Sequence, residues 1–374
     1  MRGDSNVDDV IMPNNLKRQY DLYSEEYRSK AIQVLDSGWY VLGHEVEQFE
    51  GRWAQFVGTK YCAGVASGLD ALAIAFRVLG VGQGDEVIVA SNAYIACVMG
   101  ITMNGATPVF VEPNEFYNLD ETKVEAAITK RTRAILAVHL FGQCCDMTTI
   151  CAIAREHGLF VVEDCAQSHG NTWDGRVAGS FGDISCFSFY PTKGCGAFGD
   201  GGAICTNDAS YDERIRMLRN YGSAKRSVNE EVGLNSRLDE LQAGLLSVKL
   251  SHLPELNAER SDIARRYGSM IANSLVDLPT VRDGADSSWH QYVVRSKCRD
   301  QLASYLKTKG IGTIIHYPVP PHLQPAYAYL GFSKGDFPIA EGQANEVLSL
   351  PMYNGMTERE QTRVIEAVNS FGGA

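Results

Sequence analysis

Lys193 lies in the run FGDISCFSFYPTKGCGAFGDGGAICTND, residues 181–208, after an apolar stretch and before glycines at 194, 196, 199, 201 and 202. A lysine that is to form an imine with a carbonyl needs a neutral amine, which desolvation supplies, and Phe187, Phe189 and Tyr190 are apolar walls of that kind. Without such a setting, a loop lysine is ordinarily a solvated surface charge. The glycines permit positive φ and close approach of backbone to a ligand. Upstream, LFVVEDCAQSHG carries an apolar run into Glu163, Asp164 and Gln167. A carboxylate at the C-terminal edge of a parallel strand sits where α/β proteins place their ligands. Asp is equally suited there to capping a helix. In the first role it can hold a protonated pyridine nitrogen, the arrangement that makes a pyridoxal ring an electron sink, with Gln167 in reach of the ring's phenolic oxygen.

Such a cofactor carries a phosphate, so an anion site is required. Gly64-Val65-Ala66-Ser67-Gly68-Leu69 follows a short strand and opens a helix, where backbone N–H groups and the helix dipole converge. A glycine before a helix also serves as a plain tight turn. Ser188, on the strand leading to Lys193, adds a hydroxyl. Gly80-Val81-Gly82-Gln83-Gly84 is no dinucleotide fingerprint, because it follows a helix and its spacing is wrong.

The elements that must position these groups alternate. EVIVAS, TPVFVE, RAILAVHL, LFVVEDC, DISCFSFY and GAICTND read as strands separated by turns or helical stretches, the pattern of an α/β sheet with helices on its faces. In SGLDALAIAFRVLG, Leu72, Ala75, Phe76 and Leu79 share one face and Gly80 stops the helix. Another helix is expected from Ser236, capped by its hydroxyl, with Leu238, Leu241, Leu245 and Val248 as its stripe. After about residue 250 the pattern restarts: HQYVVR as a strand, RDQLASYLKTKG as a helix ended by Gly310, and TIIHY as another strand.

Composition sets the outer bounds. With 374 residues and 45% apolar content the chain can bury one large core and a smaller second one. A formal charge of −11 and a pI near 5.3 argue against general affinity for nucleic acid or anionic membrane, so an anionic ligand must be held by local groups. The N-terminal stretch lacks an apolar signal region and no later run is long enough to span a membrane, so a soluble, cytoplasmic protein is expected. The ten cysteines show no paired C-x-x-C metal spacing, and Cys165, Cys186 and Cys205 read as reduced, buried thiols. No metal site is expected. Adjacent Cys144 and Cys145 are read as partly exposed.

Taken together, SGLDAL, VVEDCAQSHG, GDISCFSFYPTKGCGAFGDGGAICTND and GLNSRLDELQAGLL resemble, in that order, the motifs of the DegT-type nucleotide-sugar aminotransferases, and the likeness runs from about Leu16 to the last helix. The resemblance implies a fold-type-I α/β architecture. Residues 1–250 would form an N-terminal arm and a large domain with a mostly parallel sheet, residues 251–374 a small C-terminal α/β domain, and two chains a homodimer with shared active sites. It implies pyridoxal 5'-phosphate on Lys193, which also carries the proton of the 1,3-shift, with Asp164 on the pyridine nitrogen and Gln167 on the phenolic oxygen. Ser67, Gly68, the Leu69 backbone and Ser188 would hold the phosphate, joined by Asn235 of the other subunit, and Tyr94 would stack on the ring. Leu69 departs from the usual Thr or Cys, which removes a side-chain contact but leaves the backbone one.

IGTIIHYPVPPHLQPAY, residues 311–327, resembles the substrate-facing region of members that aminate a sugar at C3, with His316, Tyr317 and His322 lining the sugar and diphosphate pocket. The implied reaction moves an amino group from L-glutamate to a dTDP-3-keto-6-deoxyhexose. A C4-aminating or keto-inositol relative shares the same cofactor groups. The related dehydratases replace the lysine with histidine, which Lys193 argues against. A binding or regulatory protein that had lost turnover would be expected to have lost part of the set formed by Lys193, Asp164 and the phosphate loop, and here the set is intact.

Overall fold

All six β-branched runs form strands, and a seventh precedes them. In the computed structural model, which describes residues 10–225 and 227–373, β1 (Tyr61–Val65), β2 (Glu86–Ala90), β3 (Thr107–Val111), β4 (Thr132–Val138), β5 (Phe160–Asp164), β6 (Ile184–Ser188) and β7 (Gly202–Thr206) make one sheet. Its order is β1-β7-β6-β5-β4-β2-β3. The five strands β3, β2, β4, β5 and β6 run parallel, and β7 is antiparallel to both its neighbours. Alternate side chains of these strands enter two separate apolar cores: Ile88, Ile135 and Phe187 go to one face, Val87, Val89 and Leu136 to the other. The first nine residues of the expected N-terminal arm lie outside the described residues.

The helix after β1 forms as its pattern requires. Helix α3 (Gly68–Val78) follows α1 (Ser24–Ser37) and α2 (His44–Val57), its N-cap Ser67 accepts the Asp70 N–H at 3.1 Å, and Gly80 takes φ +71° just past its end. The expected cap at Ser236 does not form. The Ser236 hydroxyl instead donates to Asp70 Oδ2 at 2.6 Å and accepts the Ala66 N–H at 3.1 Å. It thereby ties this segment to the start of α3, and the following helix, α5 (Glu240–Met270), begins only at Glu240. The division expected at residue 250 falls inside α5. Side chains up to Leu253 pack in a core of the sheet, while those from Ile263 on join a third core with Ile11 and the C-terminal elements.

That third core holds the strands β8 (Tyr292–Arg295) and β9 (Val347–Leu350), paired antiparallel, and helix α6 (Arg299–Thr308) with Gly310 at φ +73°. TIIHY is not a strand. Only Ile314 pairs, with Ser349, after which the chain turns toward the large domain and Tyr317 reaches Gln167. Cys144 and Cys145 are buried, at 0% and 1% exposure, because the turn that carries them folds under β4. All ten cysteines are free thiols. Among the described residues no helix is long and apolar enough to cross a membrane.

Candidate active site

The C-terminal ends of β4, β5 and β6, the N-terminus of α3 and the start of α4 (Ile95–Thr102) surround a cavity of about 430 Å³. Ser67, Gly68, Leu69, Tyr94, Asp164 and Gln167 line it, with Ser188 at the end of β6 and Lys193 on the segment leaving it. His316 and Tyr317 enter from the other side. Ten of the twelve residues singled out in the sequence therefore meet at one place.

Two do not. His322 is buried at 1% exposure away from the cavity, its Nε2 lies 3.1 Å from Glu341 Oε1, and its ring packs edge-on against Phe337. Glu341 holds it there while also taking the Gly335 N–H. Asn235 is exposed and pairs with Asn220, outside the cavity of its own chain.

Burial lowers the Lys193 amine below its ordinary range, against the opposing pull of Asp164. Asp164, 6% exposed at the end of β5, accepts the Ala166 N–H on Oδ1 and faces the Cys97 thiol with Oδ2, each at 3.0 Å. Gln167 accepts the Phe141 N–H at 2.7 Å and donates to the Tyr317 hydroxyl at 3.0 Å. The Tyr94 and Tyr317 rings lie 4.7 Å apart at the mouth. His316 Nδ1 lies 2.8 Å from Ser349 Oγ, and burial pushes its pKa down to about 4.

A buried network fixes the strand ends behind the cavity. Glu163 accepts four hydrogen bonds, from His139 Nε2 and from the N–H groups of Gly179, Phe181 and Gly182. Burial alone would push its carboxyl up; the His139 ring and these N–H donors hold it below the usual range. His139 accepts the Cys145 N–H on Nδ1, so its proton sits on Nε2 facing Glu163. Although the ligand atoms of His139, Glu163 and Cys165 lie within 4.8 Å of one another, the Glu163 oxygens are already committed to these donors.

The glycines around Lys193 act differently from the expectation. None of 194, 196, 199, 201 and 202 has a positive φ. Two of them serve close packing of chain on chain: a Cβ at Gly196 would lie 2.3 Å from Pro191 O, and one at Gly202 2.5 Å from the Ser67 carbonyl. Gly68 is packed as tightly, since its Cβ would stand 2.6 Å from Ser188 Cβ. β6 and β7 thus press against the start of α3, where a helix N-terminus leaves its first N–H groups without intrahelical partners, and Ser188 lines the same part of the cavity. A helix N-terminus suited to an anion, a buried carboxylate and a lysine with a depressed amine, within one cavity, fit pyridoxal phosphate.

Several lining residues carried no signal in the sequence. Cys97 sits 67 residues before Asp164, and His139, His290 and Gln291 belong to other segments, so only the fold brings them to the cavity.

Residues 22–369 match the DegT/DnrJ/EryC1/StrS aminotransferase family. A dTDP-3-amino-3,6-dideoxy-alpha-D-galactopyranose transaminase from Aneurinibacillus thermoaerophilus is 52% identical over 351 residues, covering 94% of this chain and 96% of that protein. Among solved structures, S. venezuelae DesV superposes with a TM-score of 0.94 at 47% identity, over 96% of this chain and 98% of that one. The PLP-form of Spr1654 from Streptococcus pneumoniae reaches 0.88 at 27% identity, over 92% and 95%. With a match over nearly its whole length and relatives at this level of identity, the chain belongs to the DegT/DnrJ/EryC1/StrS aminotransferase family.

Proposed function

We propose that the chain transfers an amino group from L-glutamate to C3 of a dTDP-linked 3-keto-6-deoxyhexose, with pyridoxal phosphate as cofactor, giving 2-oxoglutarate and a 3-amino-3,6-dideoxyhexose. The observation that carries this reading is the convergence of Lys193, Asp164 and the α3 N-terminus on one cavity, in a chain 52% identical to a transaminase named for a dTDP-3-amino-3,6-dideoxyhexose.

When bound, pyridoxal phosphate supplies a carbonyl for amine exchange and a conjugated ring that accepts electron density from the substrate carbon. Lys193 would hold it covalently; burial lowers its amine below the ordinary range, which favours the neutral, nucleophilic form, and it would carry the proton between substrate atoms. Asp164 would pair with the ring nitrogen and keep it protonated. Gln167 would turn its amide N–H from Tyr317 to the phenolic oxygen. The Gly68 and Leu69 N–H groups and the Ser188 hydroxyl, which line the cavity, would hold the phosphate, and Tyr94 would cover the ring face. His316 and Tyr317, on the opposite wall, orient the sugar.

The active unit in this reading is a homodimer. Ile32, Leu35, Trp39, Tyr40 and Val41 form an exposed apolar stretch on α1 and the turn after it, with Trp39 63% exposed, which is the kind of surface a second chain covers. Exposed Asn235 is then free to complete the neighbour's phosphate site.

The experiment offers dTDP-3-keto-6-deoxyhexose and dTDP-4-keto-6-deoxyglucose separately with L-glutamate. The 3-keto sugar should be aminated, and NMR should place the nitrogen on C3. A one-carbon shift of the reacting carbonyl exceeds the roughly 1 Å tolerance for attack, so one carbon should be strongly preferred. Amination of the 4-keto sugar alone would assign the chain to C4, and amination of a keto-inositol alone would remove the nucleotide sugar.

A further inference from the structure

The stretch Ser287–Gln291 is held with unusual firmness against the cavity. The Ser288 N–H donates to Gly142 O at 3.0 Å, the Gln291 N–H to Phe141 O at 3.4 Å, and Ser287 bridges to Gln143. From behind, the Arg260 guanidinium, in a residue only 2% exposed, spends Nη1 on the carbonyls of Trp289 and His290, at 3.0 and 3.3 Å, and Nε on Asn354 Oδ1 at 3.1 Å. It forms no ion pair among the described residues, and a buried cation without a counter-charge is costly. Trp289 adds a second cost: its φ of +47° lies in the left-handed region that bulky residues avoid. Backbone strain of this kind persists where the surrounding structure enforces it, and it clusters at functional sites. What these contacts deliver to the cavity is the ring of His290 beside Gln291. His290 Nδ1 and Gln291 Oε1 are both buried without a hydrogen-bond partner, the condition of polar groups that await a ligand or water.

The amino donor's chemistry says what belongs there. Its amine must exchange at Lys193, and its α-carboxylate is attached to the same carbon as that amine, so the carboxylate must lie near Lys193 as well. The described lining contains no arginine, its ammonium is Lys193 itself, and Asp164 and Asp200 repel an anion. Uncharged donors are what remain, and among them His290 and Gln291 are the pair that the strained stretch presses into the cavity with polar atoms unpartnered. Burial, then the positive charges of Lys193 and Arg260 and the rings of His316 and His169, keep His290 neutral, with one N–H to donate. Of the two neighbouring rings, His316 has its Nδ1 2.8 Å from Ser349 Oγ, and His169, whose Nε2 is also unpartnered, is not among the residues that line the cavity. Resting on the aminotransferase reading above, we propose that His290, held by Arg260, is the residue that receives the α-carboxylate of the amino donor.

Glutarate, which has the donor's two carboxylates and no amine, is the probe. It is titrated into cofactor-loaded dimer and followed by the change in cofactor absorbance, for the unmodified chain, His290→Ala and His290→Gln. Loss of one hydrogen bond to a carboxylate should weaken glutarate binding about ten- to a hundredfold in His290→Ala. His290→Gln, which keeps an N–H donor, should stay within about threefold, and the bound cofactor and the affinity for dTDP should be unchanged in both variants. Equal glutarate affinity in His290→Ala overturns the proposal. So does a loss of dTDP affinity with glutarate binding intact, which would place His290 in the sugar site. If L-glutamate fails to bleach the unmodified enzyme, the donor assigned above is wrong and this inference falls with it; bleaching that survives unchanged in His290→Ala removes the inference alone.

Discussion

Replacing Gly68 by alanine tests the phosphate cradle through its packing. The new Cβ would stand 2.6 Å from Ser188 Cβ, 3.1 Å from Ser188 Cα and 3.2 Å from Ser188 Oγ. Carbon atoms pack at about 3.5–4.0 Å, so about 1 Å must be found. Neither side yields easily. The nearest atoms belong to the backbone and Cβ of β6, and Gly202 on β7 already brings chain to within 2.5 Å of the Ser67 carbonyl on a Cβ basis. Overpacking of this kind costs about 1–3 kcal/mol, whereas the gain from a less flexible unfolded chain is about 0.4–1 kcal/mol. The clash wins by about 1–2 kcal/mol, which for a chain of this size lowers the apoenzyme melting temperature by about 1–3 °C. A displaced α3 N-terminus also loses one charge-assisted hydrogen bond to phosphate, raising the cofactor Kd about ten- to a hundredfold. Circular dichroism of the apoenzyme reads the first effect and fluorescence titration with pyridoxal phosphate the second. Ser188→Gly in the same chain removes the clashing Cβ but not the 3.1 Å contact to Cα, and should recover part of the lost melting temperature. A Gly68→Ala protein with unchanged melting and cofactor affinity would refute the assignment of this helix start as the anion site.

Lys193→Ala should fold and abolish turnover, and borohydride reduction of the loaded native enzyme followed by peptide mapping should recover the pyridoxyl group on Lys193; recovery on another lysine sinks the assignment. Asp164→Asn should lower kcat by orders of magnitude with little loss of bound cofactor, because a neutral amide does not hold the ring nitrogen protonated; near-normal single-turnover rates would mean that another group does. Trp39→Glu should shift the chain toward monomer in light scattering and weaken cofactor retention at the same time, and an active monomer at assay concentration would contradict the shared site. His316, neutral above about pH 5 because burial lowers its pKa to about 4, should contribute no inflection to sugar-substrate KM between pH 6 and 8; one that disappears in His316→Gln would show that the ring titrates there.

The sequence by itself determined the seven strands, the start of α3 and the chemical identity of the site. Alternation, capping at Ser67 and glycine stops at Gly80 and Gly310 act over a few residues, and Lys193, Asp164 and Gln167 sit in runs whose order is itself diagnostic. The tertiary structure decided what those signals leave open. Ser236, a sound helix cap by local chemistry, serves Asp70 and Ala66 instead because the fold brings α3 beside it. Gly196 and Gly202 answer to chain packed against chain and not to positive φ, and at Gly202 that demand is set by β7 and the start of α3 together. His322, in the expected substrate segment, is claimed by Glu341, whereas His290, which no motif marks, is pressed into the cavity by Arg260. Cys97 meets Asp164 across 67 residues of chain. Local patterns record what each residue does to its own backbone; contacts between distant segments depend on how the sheet and both domains close, and no short window of sequence contains that information.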